Sequence, residues 1–176
     1  MFKRILFFLI MIIMVVSCSK EKGNKSNTSE LTIIYSGNIG GRYNPCGCRT
    51  PTGGLAKRAV AIKKIMSENP NTLIFDSGSL LFPANSHEKG FEYLDRRSAE
   101  LTSEIVRDIG IDVVNVGSND LVDGVDSLKA YYSKPGSPIA LSSNIVYKKT
   151  GELCFQPDTV LTVGSLRVGV FGLSEY

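Results

Sequence analysis

Three glycine-rich turns hold most of the residues that can do chemistry: Ser36-Gly-Asn-Ile-Gly-Gly41, Asp76-Ser-Gly-Ser79 and Gly117-Ser-Asn-Asp120. Glycine turns can bind phosphate through backbone amides, and Gly37 to Gly41 can do so without a metal. Asn38 offers a neutral carbonyl oxygen. Asp120 is the best carboxylate for touching a cation, although one carboxylate makes a weak site. Asn44-Pro-Cys46-Gly-Cys48 follows the first turn. Two thiolates one residue apart can bind a soft ion such as zinc or copper(I), but a closed zinc site takes two more ligands. The pair can instead form a strained, easily reduced disulfide. One of the two can also bond Cys154, or both can remain structural loop thiols.

The other charged residues near these turns have simpler readings. Asp76 precedes its turn and is expected to support the loop. Asp123 is expected to N-cap the helix that follows. Lys57 and Arg58 are candidates for an anionic ligand, set against a solvated basic face. His87 is the only histidine, and it is expected to be a solvated loop side chain.

Alternating strands and helices must position these turns. Leu31 to Tyr35 reads as the first strand. A helix opens at Gly53-Gly54, carries Leu55, Ala59, Ile62 and Met66 at helical spacing, and ends at Asn69-Pro70. Thr72 to Phe75 is a continuously apolar strand of the kind covered on both faces. Residues 79 to 96 read as a long loop. The next helix shows Leu101, Ile105 and Ile109 on one stripe and stops at Gly110. Asp112 to Val116 is a strand, Val125, Leu128 and Tyr132 mark a short helix, and Pro138 to Leu141 is a fourth strand. Gly164-Ser165 between two apolar runs predicts a hairpin with a type II′ turn. This order predicts an α/β sheet with ligands beyond the carboxyl ends of its strands.

The amino terminus predicts export. Lys3 and Arg4 precede an apolar run of 12 residues, Ile5 to Val16, too short to span a bilayer and laid out as a secretory signal. Val15-Val-Ser-Cys18 resembles a bacterial lipobox, with Cys18 lipidated as the mature first residue. The expected organisation is a signal at 1–17, a flexible tether at 18–30 and one domain at 31–176. The chain is then held on a cell membrane by its lipid, on the periplasmic or surface side. Losing Lys3 and Arg4 reduces the 20 basic residues to 18 against 17 acidic ones, so the near-neutral chain gives no reason for a nucleic-acid partner.

Taken together, Gly53-Gly-Leu-Ala-Lys-Arg-Ala59, Phe75-Asp-Ser-Gly-Ser79 and Val116-Gly-Ser-Asn-Asp-Leu-Val-Asp-Gly124 resemble the N-terminal part of a known family. It is the 5′-nucleotidase branch of the calcineurin-like metallophosphoesterases. Leu141-Ser-Ser-Asn144 and Val168-Gly-Val-Phe-Gly-Leu173 fit its later strands. The resemblance runs from about Leu31 to Ser174 and implies a layered sheet with helices on the faces, incomplete relative to the full domain. It also implies two divalent ions about 4 Å apart that polarise a phosphoryl group and generate hydroxide. Carried over by position, the first ligand Asp falls on Asn38 and its His on Gly40. The bridging Asp falls on Ser79, the ligand Asn on Ser118, the catalytic His on Asn119 and the Glu on Asp120. The family draws its last histidines from beyond the strand at Arg167 to Phe171. The Cys-Gly-Cys segment resembles a divergent, lipoprotein-like branch.

Bridging two dications calls for an anion, which a serine hydroxyl supplies only by ionising. The leading expectation is therefore a lipid-anchored binding module with a degenerate two-metal site. The alternative is a phosphoester hydrolase acting on nucleotide-like substrates through a site rebuilt around Asn38, Cys46, Cys48, Ser79 and Asp120. A third is a truncated piece of such an enzyme. An uncovered sheet edge would favour a protein partner.

Overall fold

The structure, a computed structural model, describes residues 30–86 and 88–175. The signal, Cys18, nearly all of the tether, His87 and Tyr176 lie outside the described residues.

Four short strands, β1 (Thr32–Ser36), β2 (Thr72–Asp76), β3 (Val113–Asn115) and β4 (Ile139–Leu141), form a parallel sheet in chain order. The crossovers are α1 (Leu55–Glu68), α2 (Glu92–Ile109), and a 3-10 turn at Ser118–Leu121 followed by α3 (Val125–Tyr131). Right-handed crossovers advancing in one direction put all three helices on one face. In agreement, α2 packs against both α1 and α3. The last two strands, β5 (Asp158–Val163) and β6 (Leu166–Phe171), pair antiparallel across Gly164-Ser165. Gly164 has φ 56 while Ser165 stays at negative φ, the pattern a type II′ turn requires.

Strand alternation divides the buried residues. Ile74, Val114 and Val116 point into the helix-side core with Leu55, Ile62, Val106 and Leu128. Leu73, Val113 and Leu141 are buried outside that cluster, on the opposite face. The hairpin reaches this face. A Cβ on Gly164 would meet Asn71, and one on Gly172 would meet Leu141 and Asn115. Over the edge strand β1 the face stays open, leaving Ile33 49% and Tyr35 82% exposed.

The helix ends follow local chemistry. Asn69 is extended, as a residue before proline must be, and Gly110 takes the left-handed C-cap conformation. Four expectations need correction. In α2 the buried stripe is Ala99, Thr102, Val106 and Ile109, while Leu101 is exposed. At 3.6 residues per turn Leu101 lies about 100° round the helix from Thr102 and so falls off this stripe. Met66 on α1 is likewise exposed. The stretch read as one loop from 79 to 96 contains the start of α2, and its opening residues Leu80, Leu81 and Phe82 are fully buried. Burial of each contributes about 1.5–3 kcal/mol. Finally, Asp123 does not cap α3, whose N-cap is Gly124. Asp123 instead pairs with Arg96 at 3.0 Å and accepts from the Tyr131 hydroxyl, tying α2 to α3.

Candidate functional site

The three turns meet beyond the carboxyl ends of β1, β2 and β3, fastened backbone to backbone. The Asn38 amide donates to the Gly78 carbonyl at 2.9 Å, Gly40 to Ser79 at 2.8 Å and Gly41 to Leu80 at 2.8 Å. Close approach of the second and third turns depends on glycine. A Cβ on Gly117 would lie 2.2 Å from the Ser79 nitrogen, and one on Gly78 would lie 2.5 Å from the Gly117 nitrogen. Asn38 (φ 54) and Ser79 (φ 52) are the only non-glycine residues at positive φ among the described residues. That conformation is unfavourable for side chains with a Cβ and persists only where the surroundings impose it.

Asp120 imposes much of it. The residue is 2% exposed. Its Oδ1 accepts from the amides of Leu80 (2.8 Å) and Leu81 (3.0 Å), and its Oδ2 from those of Ser79 (2.7 Å) and Gly117 (3.0 Å). A carboxylate has about four acceptor positions, and all four are used within the protein. Burial pushes the carboxyl above its usual value, with the four amides opposing the shift. Asp120 is thus turned inward as the fastener of the turns, which corrects its reading as a residue reaching for a cation.

Asp76 supports its own turn from below. Buried, it accepts from the Ser36 hydroxyl, the Gly78 amide at 3.0 Å and Arg58 Nη1 at 3.4 Å. Arg58 therefore points under the site and is not part of a solvated basic face. Its Nη2 and the Tyr132 hydroxyl are both buried without a hydrogen-bond partner among the described residues. Burial drives the tyrosine well above its usual pKa, and the nearby Asp120 and Asp76 add to the shift. Lys57 is also engaged, donating to the Pro51 carbonyl at 2.6 Å.

Asn38, Ser79, Ser118 and Asn119 are brought together around a cavity of about 490 Å³, with Asn115 and Glu175 also on its wall. Cys46 and Cys48 are not brought to it. Cys46 lines a different cavity of about 580 Å³, between Ile39 and the start of α1. Cys154 is buried in the core, and all three described cysteines are free. No cluster of three or more His, Cys, Asp or Glu side chains suited to a metal ion occurs among the described residues.

Sequence reasoning missed three organising side chains. Asn115 donates to the carbonyls of Ser77 and Leu173, at 3.2 and 2.9 Å. Asn144 binds Ser174 through both amide and carbonyl, at 2.8 and 2.7 Å, and so ties the fourth turn to the segment after β6. Thr52 holds Cys46, its hydroxyl and its amide each 3.3 Å from the sulfur. The only signal for Thr52 is its place directly before Gly53-Gly54, where the chain must fold back toward the cysteines.

No family model matches the chain. Its sequence is 26% identical over 157 residues to a 5′-nucleotidase of Vibrio parahaemolyticus, covering 86% of this chain and 26% of that protein. It is 37% identical over 81 residues to an uncharacterised protein of Acinetobacter calcoaceticus, covering 46% of this chain and 37% of that one. Among solved structures, a 5′-nucleotidase precursor of Thermus thermophilus superposes with a TM-score of 0.67 at 20% identity, over 82% of this chain and 28% of that one. The calcineurin-like phosphoesterase YfkN of Bacillus subtilis superposes with a TM-score of 0.63 at 21% identity, over 82% and 48%. The chain spans about a quarter of the length of the 5′-nucleotidase relatives it matches.

The fold is that of the calcineurin-like phosphoesterases, in part, and its structural neighbours include 5′-nucleotidases and a calcineurin-like phosphoesterase.

Proposed function

We propose that the chain is a 5′-nucleotidase-like metallophosphoesterase domain, lipid-anchored through Cys18, whose turn-lined cavity binds a ligand without two-metal hydrolysis. The observation that carries this reading is the inward commitment of Asp120, which spends all four acceptor positions on backbone amides. The side chains around the cavity at the positions carried over from the family are neutral, Asn38, Ser79, Ser118 and Asn119, and Glu175 is the single carboxylate beside them. Two dications need anionic oxygens between them, and this donor set does not fit them. Amides and hydroxyls do suit a polar ligand such as a phosphate ester, held by hydrogen bonds alone. The lipobox-like segment ending at Cys18 supports placement on the outer side of a bacterial cell membrane.

The test is a panel of nucleoside 5′-monophosphates incubated with the purified full chain and magnesium, manganese, cobalt, zinc or calcium in turn. Calorimetric titration of the same nucleotides accompanies it. The expected result is no phosphate release with any ion. Metal-dependent release that is lost on Ser79→Ala and Asn119→Ala would overturn the reading in favour of a rebuilt active site.

A further inference from the structure

A second site stands apart from the turn-lined cavity and owes nothing to the phosphoesterase-like reading. We propose that Cys46 and Cys48 form a thiol–disulfide exchange site, with Cys46 the attacking and Cys48 the resolving sulfur, acting on disulfides that enter the adjoining cavity.

The loop is built around the Cys46 sulfur. The Cys46 amide donates to the Thr52 carbonyl at 2.9 Å, closing the segment between them into a ring. Inside that ring the Thr52 amide and hydroxyl each lie 3.3 Å from Sγ of Cys46. Cys48 lies two residues along the same loop, and its thiol is the leading cause of the lowered Cys46 pKa. Several donors converging on one sulfur favour the thiolate, the form that attacks disulfides, and they hold Cys46 at about 6. Cys48 is shifted the other way, chiefly by its interaction with Cys46, which favours its protonated form.

The frame around the ring is fixed. Gly54 approaches Pro45 so closely that a Cβ would lie 2.9 Å from the proline ring. The Leu55 amide at the start of α1 bonds the Tyr43 carbonyl. Cys46 is half-buried on the wall of the cavity of about 580 Å³, beside Ile39, Tyr43 and Pro45, while Cys48 is exposed. A mostly apolar cleft with one reactive sulfur on its wall accepts a disulfide. The described residues provide no third His, Cys, Asp or Glu to complete a metal cluster.

The chemistry balances without another co-reactant. The Cys46 thiolate attacks one sulfur of RS–SR′, the S–S bond breaks and R′S⁻ departs and takes up a proton. Cys48 then loses its proton to solvent and attacks the Cys46 sulfur. A Cys46–Cys48 disulfide forms as RS⁻ leaves and is protonated. Two electrons pass from the dithiol to the substrate disulfide.

The test uses the reduced full chain in detergent with two probes, oxidised glutathione and disulfide-bonded insulin, followed by acid quenching and peptide mapping. The expected product is an internal Cys46–Cys48 disulfide, with Cys154 unmodified. With Cys48→Ser, a mixed disulfide is expected to accumulate on Cys46. With Cys46→Ser, adduct formation should slow at least about tenfold at pH 6.5, because an ordinary thiol is almost wholly protonated there. Reaction with both probes supports a general disulfide reductant, and reaction with insulin alone supports a polypeptide substrate. Independent adducts on the two cysteines at equal rates would overturn the proposal. So would stoichiometric zinc retained by the thiols that blocks exchange.

Discussion

The Ser79 amide donates to Oδ2 of Asp120 at 2.7 Å, while the Ser79 carbonyl accepts from Gly40 at 2.8 Å. One residue thus links all three turns, in a conformation a serine would not choose alone. Removing the acceptor should release it. Asp120→Ala strands four amides, three of them buried, and the expected loss is about 3 kcal/mol or more, read as a lower urea midpoint. Asp120→Asn, which keeps one carbonyl acceptor, should lose less. An unchanged midpoint for the alanine variant would count against the fastening role.

Glycine contacts between the turns make a second prediction. Gly117→Ala places a methyl 2.2 Å from the Ser79 nitrogen, and Gly78→Ala one 2.5 Å from the Gly117 nitrogen at a φ of 101. Backbone cannot yield as a flexible side chain can, so each should cost about 2 kcal/mol or more. Gly47→Ala, whose Cβ would meet nothing within 4 Å, should change stability by under about 0.5 kcal/mol. Thermal unfolding of the three variants side by side separates these outcomes.

Arg58 and Asp76 form a partly buried pair, with side chains 16% and 0% exposed. Arg58→Ala leaves the carboxylate with neutral donors only, and about 2–4 kcal/mol should be lost. Asp76→Asn together with Arg58→Met should recover part of that loss, since no buried charge then remains. A double-mutant cycle with no coupling would show that the two act separately.

Alkylation of Cys46 should depend on pH in an unusual range. Its thiol is lowered from 9.0 to about 6, so the reactive anion appears as pH rises through about 6. The iodoacetamide rate should level off near neutrality. An ordinary thiol would still be gaining rate there. Thr52→Val removes one donor and should move the profile to higher pH. A wild-type profile centred near the ordinary thiol value would contradict the role given to Thr52 and Cys48.

Membrane attachment is tested at Cys18, outside the described residues. Cells grown with a labelled fatty acid should incorporate the label into the wild-type chain and not into Cys18→Ser, which should partition into the aqueous phase of a detergent extraction.

Glycine punctuation and apolar runs made the strand and helix order readable, because each βαβ unit is specified locally. The corrections concern residues whose roles depend on distant partners. Asp120 reads as a candidate cation contact until Ser79, Leu80 and Leu81, some 40 positions earlier, are brought against it. Arg58 lies on a basic stretch of helix, and only the position of Asp76 turns it inward. Leu80 to Phe82 have no period to reveal them, since a buried segment without regular structure leaves none. Thr52 is six residues from Cys46, close enough to suspect yet visible only once the loop closes.

Fastening the turns from beneath, through Asp120, has a consequence for how such a protein can change. Asp120 ties the backbone around the cavity by contacts within the protein, so a chelator should leave unfolding unaltered. The outward residues Ser118 and Asn119 can then be exchanged with little risk to the frame. The pocket is a mould whose inner wall is fixed and whose lining is free to drift toward a new ligand.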